Sequence, residues 1–380
     1  MERPKLQGVP SCPFAKISLS AFLLMSLSLV ASAQTVLTGI MTVPRADSVV
    51  TSLRDGRVLV TGGYGGSGAG YLASAELFDP QTGHFASLGD MHSIRLGHTA
   101  TLLQNGDVLI SGGGFWLNGA HTVSSAELFL AESQSFVIVG DMNTARSDHT
   151  ATLLNDGTVL MAGGFIQEKD AVLADAEIYD PASRRFTRVG NMTAPRYLHG
   201  AALLPDGRVL IEGSARSGNA RSAEIYDPQS QTFEATSSPL GPHEGDPVVL
   251  ANGEVLLVGV DDPPAISSAS EIFDPRTSTF RFATPSWTAL YDATATLLPG
   301  GAVLIAGGGD EFSTNELTIF DPATLSYRKV GALQAPRTHH SAIVLRDGRV
   351  LILGGEGDRG EVLPTAEIFG APIRHRAIGR

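Results

Sequence analysis

The sequence predicts an all-β protein, a seven-bladed β-propeller of four-stranded antiparallel blades in which the N-terminal strand completes the last blade. Three observations predict this fold. Glycine is abundant, with 43 among 380 residues, which favours short strands and tight turns over helices. One sequence unit recurs seven times at intervals of 46 to 51 residues. The last copy lacks its final strand, and a matching strand stands near the start of the chain.

The first half of each copy is two apolar strands around a glycine turn. The flanking runs, such as HTATLL (98–103) and VLISGG (108–113), are apolar at successive positions, which predicts a sheet covered on both faces. An Asp-Gly, Asn-Gly or Gly-Gly pair at the turn predicts a type I′ hairpin, with positive φ at both central residues. The second glycines of these turns are Gly56, Gly106, Gly157, Gly207, Gly253, Gly301 and Gly348.

The second half of each copy supplies the outer strands. A segment such as AEIYDP (176–181) predicts a third strand ended by proline, and an aromatic residue such as Phe186 begins the fourth. Residues 35–41 match the end of a fourth strand, and Arg45 follows Met41 at the same spacing that later copies show. We therefore expect the N-terminal strand to close the ring, so that neither end of the array is left open.

The repeat as a whole resembles the Kelch repeat, R-x-x-H followed by D-G-x-V-L-[IV]-x-G-G, A-E-[LI]-[FY]-D-P and F-x-x-[VL]-G-x-M. It is most similar to the bacterial version found in galactose oxidase-like proteins, and the resemblance covers about residues 35–370. The resemblance implies a four-stranded antiparallel blade for each repeat. It also implies that the strand after R-x-x-H lies nearest the central channel.

The chain divides into three segments, 1–33, 34–370 and 371–380. Basic residues, an apolar run over 17–30 and then Ala31-Ser32-Ala33 predict a signal peptide, and hence a secreted or periplasmic protein. An uncleaved N-terminal anchor is the alternative. Residues 34–370 form the predicted propeller, and residues 371–380 are a short basic tail.

Composition argues against several classes of partner and cofactor. The single cysteine, Cys12, would leave with the signal peptide, so we expect no metal and no other cofactor. The formal net charge is -12, which disfavours nucleic acid and anionic membrane surfaces. We therefore expect a monomer with neither kind of partner once the signal peptide is removed.

Polar residues that recur in most blades are predicted to be structural, because a residue repeated around the ring serves the blade rather than one site. Each arginine is expected to pair with the glutamate of the third strand or with strand-end carbonyls. Each histidine is expected to satisfy buried backbone groups, although a ring of histidines could also suggest a metal site. The main members are Arg95, His98, Arg146, His149, Arg196, His199, Arg337 and His340.

Candidate binding residues are those that break the repeat. The residue before each histidine position is acidic in four copies, which predicts either an acidic ring at the channel mouth or a solvated rim: Asp47, Asp148, Glu244 and Asp292. Variable loops on the same face carry aromatic and charged residues, which suit a sugar or a protein segment unless they only fill their own loops. These residues are Tyr64, Tyr71, Trp116, His121, Phe165, Arg216, Trp287, Tyr291, Phe312 and Arg359.

The function that this pattern favours is a binding scaffold for a protein, peptide or glycan, with no catalysis. A sugar mutarotase or epimerase is the alternative, with an acid/base pair such as Glu244 with Arg196 or His339. The resemblance to galactose oxidase-like proteins also implies a copper radical enzyme. That chemistry needs a cysteine cross-linked to tyrosine, and the predicted mature chain has no cysteine, so we do not expect it.

Overall fold

The computed structural model describes residues 35–213, 222–239, 246–258, 269–285, 292–309 and 313–370. The chain splits into two compact units, Met1–Ser32 and Ala33–Arg380, and all described residues belong to the second. The predicted signal peptide and the basic tail 371–380 lie outside the described residues. Within the described ranges, no helix is long and apolar enough to cross a membrane.

Seven four-stranded sheets make up the second unit, and they are the predicted blades. The N-terminal strand is β1 (Val36–Ile40). Blade one contains β2 (Val49–Ser52), β3 (Val58–Thr61), β4 (Ala75–Asp79) and β5 (His84–Ser87), with the one-turn helix α1 (Gly66–Ala69) between β3 and β4. Blade two contains β6 (Thr99–Leu102), β7 (Val108–Ser111), β10 (Ser125–Leu130) and β11 (Ser135–Asp141), with the small hairpin β8 (Gly114–Trp116) and β9 (Ala120–Thr122) inserted.

The remaining blades repeat the same order. Blade three contains β12 (Thr150–Leu153), β13 (Val159–Ala162), β16 (Ala176–Asp180) and β17 (Arg185–Arg188), with β14 (Phe165–Ile166), a 3₁₀ turn (Gln167–Lys169) and β15 (Ala171–Val172) inserted. Blade four contains β18 (Gly200–Leu203), β19 (Val209–Glu212), β20 (Ala223–Asp227) and β21 (Thr232–Ala235). Blade five contains β22 (Val248–Val249), β23 (Val255–Leu257), β24 (Ala269–Asp274) and β25 (Thr279–Pro285). Blade six contains β26 (Thr294–Leu297), β27 (Val303–Ala306), β28 (Glu316–Asp321) and β29 (Ser326–Ala332). Blade seven contains β30 (Ser341–Val344), β31 (Val350–Leu353) and β32 (Thr365–Phe369), and its outer strand is β1.

The ring is closed, as the sequence predicted. The first strand of each blade contacts the first strand of the next, and β30 of blade seven contacts β2 of blade one. The N-terminal strand β1 pairs antiparallel with β32, with Val36 opposite Ile368. Gly39 in β1 also lies against blade one, where a Cβ would stand 2.2 Å from the carbonyl oxygen of Gly83. Glycine is therefore required where the N-terminal strand meets the first blade.

Each seam between neighbouring blades has its own apolar core. In β3, Val58 and Val60 face the seam with blade seven, whereas Leu59 faces the seam with blade two. Alternate residues of one strand thus face opposite neighbours, which explains why the second strands are apolar at successive positions. A fully buried side chain of this kind stabilises the fold by about 1.5–3 kcal/mol.

The hairpin turns differ from the predicted type I′ geometry. Only the glycine has positive φ, as Gly56 does at 95°, and the preceding Asp55 does not. The amide of Gly56 donates to the carbonyl of Leu53, while the side chain of Asp55 accepts from the amide of Arg57. This is a type I turn followed by a glycine bulge. The prediction was wrong because an aspartate or asparagine side chain that binds the amide two residues on suits the type I turn.

Candidate functional site

The two ends of the blades form two faces of different construction. On one face, the segment before the inner strand bridges to the loop after the second strand of the same blade in blades one, two, three and seven, as Ala46 does with Tyr64 and Ser147 with Phe165. We call this the mouth face. The opposite face carries the glycine hairpins, and we call it the hairpin face. The predicted binding loops and inter-blade segments therefore do share one face.

In five blades, a buried arginine forms an ion pair with the glutamate of the third strand, and we call this pair the clamp. The Arg95 guanidinium donates to Oε1 of Glu127 at 2.9 and 3.0 Å, and its Nη1 donates to the carbonyls of Gly112 and Ser125. The second carboxylate oxygen of Glu127 accepts from the amide of His92, at the crossing from the preceding blade. Both charges are fully buried and fully hydrogen-bonded, so the predicted pairing is confirmed. The equivalent pairs are Arg45–Glu76, Arg146–Glu177, Arg196–Glu224 and Arg337–Glu367.

The same arginines join consecutive blades through their backbone. The carbonyl of Arg95 accepts from the amide of Gly63, the second glycine of the pair that ends β3 in blade one. A Cβ on Gly63 would stand 2.5 Å from the carbonyl oxygen of Ala46, so only glycine fits there. The last such bond, from Gly355 to Arg45, crosses the closing seam. The glycine pairs are therefore structural.

The repeated histidines form hydrogen bonds to hydroxyl groups of the preceding blade, which the sequence did not predict. His340 also interacts with the backbone of Ala306 and Arg337, the kind of partner that the sequence did predict. Nε2 of His98 lies 2.9 Å from Oγ1 of Thr61, and Nε2 of His340 lies 3.0 Å from Oγ1 of Thr294. The sequence missed this because a threonine or serine at the end of the neighbouring blade's strand has no fixed spacing signal. His149 and His199 make equivalent contacts.

Burial keeps these histidines neutral. Desolvation, assisted by the nearby arginines, lowers the pKa of His98, His199 and His340 to about 3. The pKa of His149 is lowered well below its ordinary value for the same reasons. Within the described residues, no three His, Cys, Asp or Glu side chains lie close enough together to hold a metal ion.

Blade six shows what happens when the clamp is absent. Register with β27 places Thr318 where the other blades carry the buried glutamate. The sequence repeat places Leu290 at the matching arginine position, which lies outside the described residues. Blade six thus lacks both members of the pair, so that neither charge is left buried alone there. Blade five differs, because its sequence has Pro242 at the arginine position but keeps the fully buried Glu271.

A ring of left-handed residues surrounds the mouth. One residue just before each inner strand has φ between 51° and 63°: Asp47, Gly97, Asp148, Leu198, Asp292 and His339. We call these six residues the mouth ring. Backbone hydrogen bonds link neighbouring members, such as the amide of Leu198 to the carbonyl of Asp148 at 2.9 Å. Glu244, the remaining predicted member, lies outside the described residues.

The mouth ring holds interacting titratable groups. Nε2 of His339 lies 3.5 Å from Oδ2 of Asp292. Asp47 is solvent-exposed but surrounded by protein atoms, and this partial desolvation raises its pKa to about 6. His339 opposes the rise, whereas the carboxylates of Asp292, Glu356 and Asp148 add to it. Burial also raises the pKa of Asp148, against a hydrogen bond from Ser147.

Several predicted aromatics partly fill their own loops. The rings of Tyr64 and Tyr71 are 5.4 Å apart, and both side chains are half-buried. Phe165 lies 5.2 Å from the ring of Tyr197 and is also half-buried. His121 is exposed, and its ring stacks on Phe115. Arg359 is exposed on the loop of blade seven.

Neighbouring loops on the mouth face brace one another. The carboxylate of Glu168, in the loop of blade three, accepts hydrogen bonds from the amide and hydroxyl of Thr122 in blade two. Between blades six and seven, Ser313 donates to Asp358 at 2.6 Å. These bonds hold loops of adjacent blades in a fixed arrangement.

Three large apolar side chains stand exposed on the mouth face. Trp116 is 58% exposed, Leu117 is 57% exposed and Leu198 is 61% exposed. The sequence identified Trp116 but missed Leu117 and Leu198. The signal for Leu198 was an apolar residue at a position that otherwise holds glycine, acidic residues or histidine.

Five predicted contact residues are not among the described residues, so their positions stay predictions. They are Arg216, Trp287, Tyr291 and Phe312 of the loop set and Glu244 of the acidic set. Arg196, proposed above as a catalytic partner, is fully buried against Glu224 and does not reach the mouth.

Comparison with known proteins supports the architecture. No protein-family model matches the sequence, and no curated protein matches it. Among solved structures, the chain is similar to a novel fungal alcohol oxidase of the AA5 family in complex with copper, with a TM-score of 0.71 and 17% identity, covering 90% of this chain and 76% of that one. It is also similar to YjhT, with a TM-score of 0.56 and 14% identity, covering 76% of this chain and 98% of that one.

Identities this low show the fold alone. The likeness to the alcohol oxidase therefore supports the β-propeller fold of this chain and carries no statement about its activity. Membership of the Kelch family stays a prediction from the repeat.

Proposed function

We propose that the protein is a binding scaffold whose mouth face recognises a partner polypeptide. The observation that carries this proposal is that Trp116, Leu117 and Leu198 on the mouth face are between 57% and 61% exposed, the first two on a hairpin braced by hydrogen bonds. Large apolar side chains left exposed on a rigid loop face are typical of interaction sites.

A polypeptide suits these side chains better than a glycan does. Sugar-binding sites rely on flat aromatic faces, whereas two of the three exposed residues are leucines, which pack against aliphatic side chains. The adjacent carboxylates of Asp148 and Asp47 favour a segment that also carries basic residues or amide donors. A glycan remains the competing ligand and is an outcome of the experiment below.

Because hydrogen bonds already hold these loops in place, less conformational entropy is lost when a ligand binds. Ordering a loop or a side chain on association costs about 0.5–1.5 kcal/mol for each immobilised side chain. The hairpin of β8 and β9 is already fixed to blade three through Thr122 and Glu168. Its exposed tip is therefore presented in one arrangement, as expected for a binding surface.

Selection from a random peptide library displayed on phage tests the proposal. We expect enriched apolar and basic peptides whose affinity falls roughly tenfold in Trp116→Ser and in Leu117→Ser. Phe282→Ser is the matched control, because Phe282 is 55% exposed on the outer strand of blade five, away from this face. No enriched peptide, together with glycan-array binding that Trp116→Ser abolishes, would favour the glycan instead.

Acid/base catalysis on a sugar is the second candidate, favoured by Asp47. A carboxyl group with a pKa of about 6 can give and take a proton near neutral pH, and the His339–Asp292 pair stands in the same ring. In mutarotation, one group would remove the anomeric hydroxyl proton while the other protonates the ring oxygen. Anomer exchange followed by NMR tests this. Exchange that is fast and lost in Asp47→Asn would establish it, and exchange at the buffer rate would reject it.

We also propose that residues 1–33 direct export of the protein, as their sequence predicts. N-terminal sequencing of the exported protein is the test. A start at Gln34 supports the proposal, and an intact Met1 in a membrane fraction would indicate the anchor alternative.

A further inference from the structure

The hairpin face carries a cleft at the seam between blades seven and one, on the opposite face of the blades from the mouth ring. Its volume is about 670 Å³. Pockets for small ligands typically measure about 300–1,000 Å³. One wall comes from the β30–β31 hairpin, and the other comes from the β2–β3 hairpin and the β4–β5 turn of blade one. We propose that this cleft is a second binding site, which takes a small zwitterion with one carboxylate and one ammonium group, such as a short peptide.

Two of the three arginines in the cleft are already neutralised. Arg57 lies 2.6 Å from Oδ2 of Asp55, and Arg349 lies 2.7 Å from Oδ2 of Asp347. Each pair belongs to one Asp-Gly-Arg turn, so each charge has its partner on the same hairpin. Neither arginine is therefore available as an unpaired cation for a ligand.

Arg346 forms no close ion pair with any carboxylate that the structure describes. At the equivalent position of blade one, Arg54 donates to the carbonyl of Gln104 in the next hairpin. Arg346 extends over Gly56, where a Cβ would stand 3.0 Å from its Cδ, just as Arg54 extends over Gly106 at 3.1 Å. Unlike Arg54, it donates no hydrogen bond to a described residue, and its charge acts on the carboxylate of Asp55 only at longer range. The contrast leaves the planar guanidinium exposed at the cleft, in the geometry that binds a carboxylate with two parallel hydrogen bonds.

Asp79 supplies the opposite charge on the other wall. It is half-buried, and its Oδ1 accepts from the amide of Gln81 at 2.8 Å. No described residue forms an ion pair with it. A ligand ammonium group can therefore bind Asp79 while the ligand carboxylate binds Arg346. A doubly charged anion such as phosphate suits the cleft less, because Asp79 and the carboxylates of Asp55 and Asp347 would repel it.

Titration calorimetry with alanyl-alanine tests the site. We expect binding that weakens roughly tenfold, equal to about 1.4 kcal/mol, when the peptide carboxylate is replaced by an amide or when its amine is acetylated. Arg346→Gln should weaken it by a similar factor. Arg276→Gln is the matched control: it removes an 80% exposed arginine from a turn on the same face, and it should leave binding unchanged.

Three outcomes would overturn the proposal. They are no heat of binding at about 10 mM peptide, equal binding of the amidated peptide, and inorganic phosphate binding more tightly than the dipeptide. The site does not depend on the function proposed for the mouth face. Trp116→Ser and Asp47→Asn should leave dipeptide binding intact, so failure of one proposal is distinguishable from failure of the other.

Discussion

The seams between blades and the mouth face use polar residues in opposite ways. In the seams, Arg95 and Glu127 are fully buried and pair with each other. On the mouth face, Asp47 and Asp292 are exposed and influence each other across the mouth ring. A residue that recurs in blade after blade has become part of the scaffold, whereas residues that vary between blades stand where a ligand could reach them. Five predictions can break or sharpen this contrast.

Among these changes, Arg95→Leu is expected to lower the free energy of unfolding the most. This change leaves the carboxylate of Glu127 buried without its cation, which costs about 3–5 kcal/mol of the free energy of unfolding. The melting temperature and the denaturant midpoint should both fall sharply. A mouth-face substitution such as Trp116→Ser should change neither by a comparable amount.

Blade six provides the matched rescue. Adding Glu127→Thr to Arg95→Leu reproduces the leucine and threonine that the sequence of blade six carries at these positions. The double variant should recover most of the lost stability, because no buried charge remains unpaired. A double variant less stable than Arg95→Leu alone would mean that the two residues do not act as a pair.

The buried histidines predict sensitivity to mild acid. An unfolded histidine binds a proton near pH 6.5, whereas folded His98 does so only at about 3. The free energy of unfolding should therefore fall as the pH drops below 6.5, by up to about 1.4 kcal/mol per pH unit for each histidine, and stay level above it. Melting temperatures between pH 7.5 and 5 measure this slope. His98→Gln should reduce it, and a flat profile in the parent protein would contradict burial of the histidines.

Leu198→Gly should affect stability and binding in opposite directions. A leucine at φ 51° is strained, and with 61% exposure it gains little packing in return. Glycine should raise the free energy of unfolding by about 1 kcal/mol while weakening peptide binding. Leu325 is the control: it has the same φ of 51° but packs against the core between blades five and six. Leu325→Gly should give no gain, and a gain at both positions would remove the functional argument for Leu198.

Among these changes, Asp47→Asn is expected to change the free energy of unfolding the least. Because folding raises the pKa of Asp47 to about 6, its ionised form is disfavoured in the folded state at pH 7. Asparagine should raise stability there by less than about 1 kcal/mol, since solvent screens an exposed group. The difference between the variant and the parent should shrink as the pH falls from 6 towards 4. An unchanged difference across that range would show that Asp47 does not interact with its neighbours.

Much of the fold could be predicted from the sequence because one sequence unit occurs seven times, and each copy indicates the same four-stranded blade. The glycine turns, the apolar strands and the strand at residues 35–41 fixed the number of blades and the closure, and the arginine–glutamate pairs followed from their constant spacing. The predicted turn type was wrong because an Asp-Gly pair is compatible both with a type I′ turn and with a type I turn followed by a glycine bulge. The histidine partners were missed because a hydroxyl contact between blades depends on how the blades pack.

The site was less predictable because it depends on where loops fold. The sequence could not show that Tyr64 and Tyr71 would pack on each other, or that Leu117 would stand exposed at a hairpin tip. The left-handed conformation of Leu198 is set by ring geometry rather than by local propensity, since leucine rarely adopts it.

Hydrogen–deuterium exchange with a selected peptide tests the central claim most directly. The account predicts slower exchange on binding in the β8–β9 hairpin, the β14–β15 loop and residues 195–199, with no change in the glycine hairpins. Protection confined to the hairpin face, or spread evenly over the seams, would show that the mouth face does not hold the peptide.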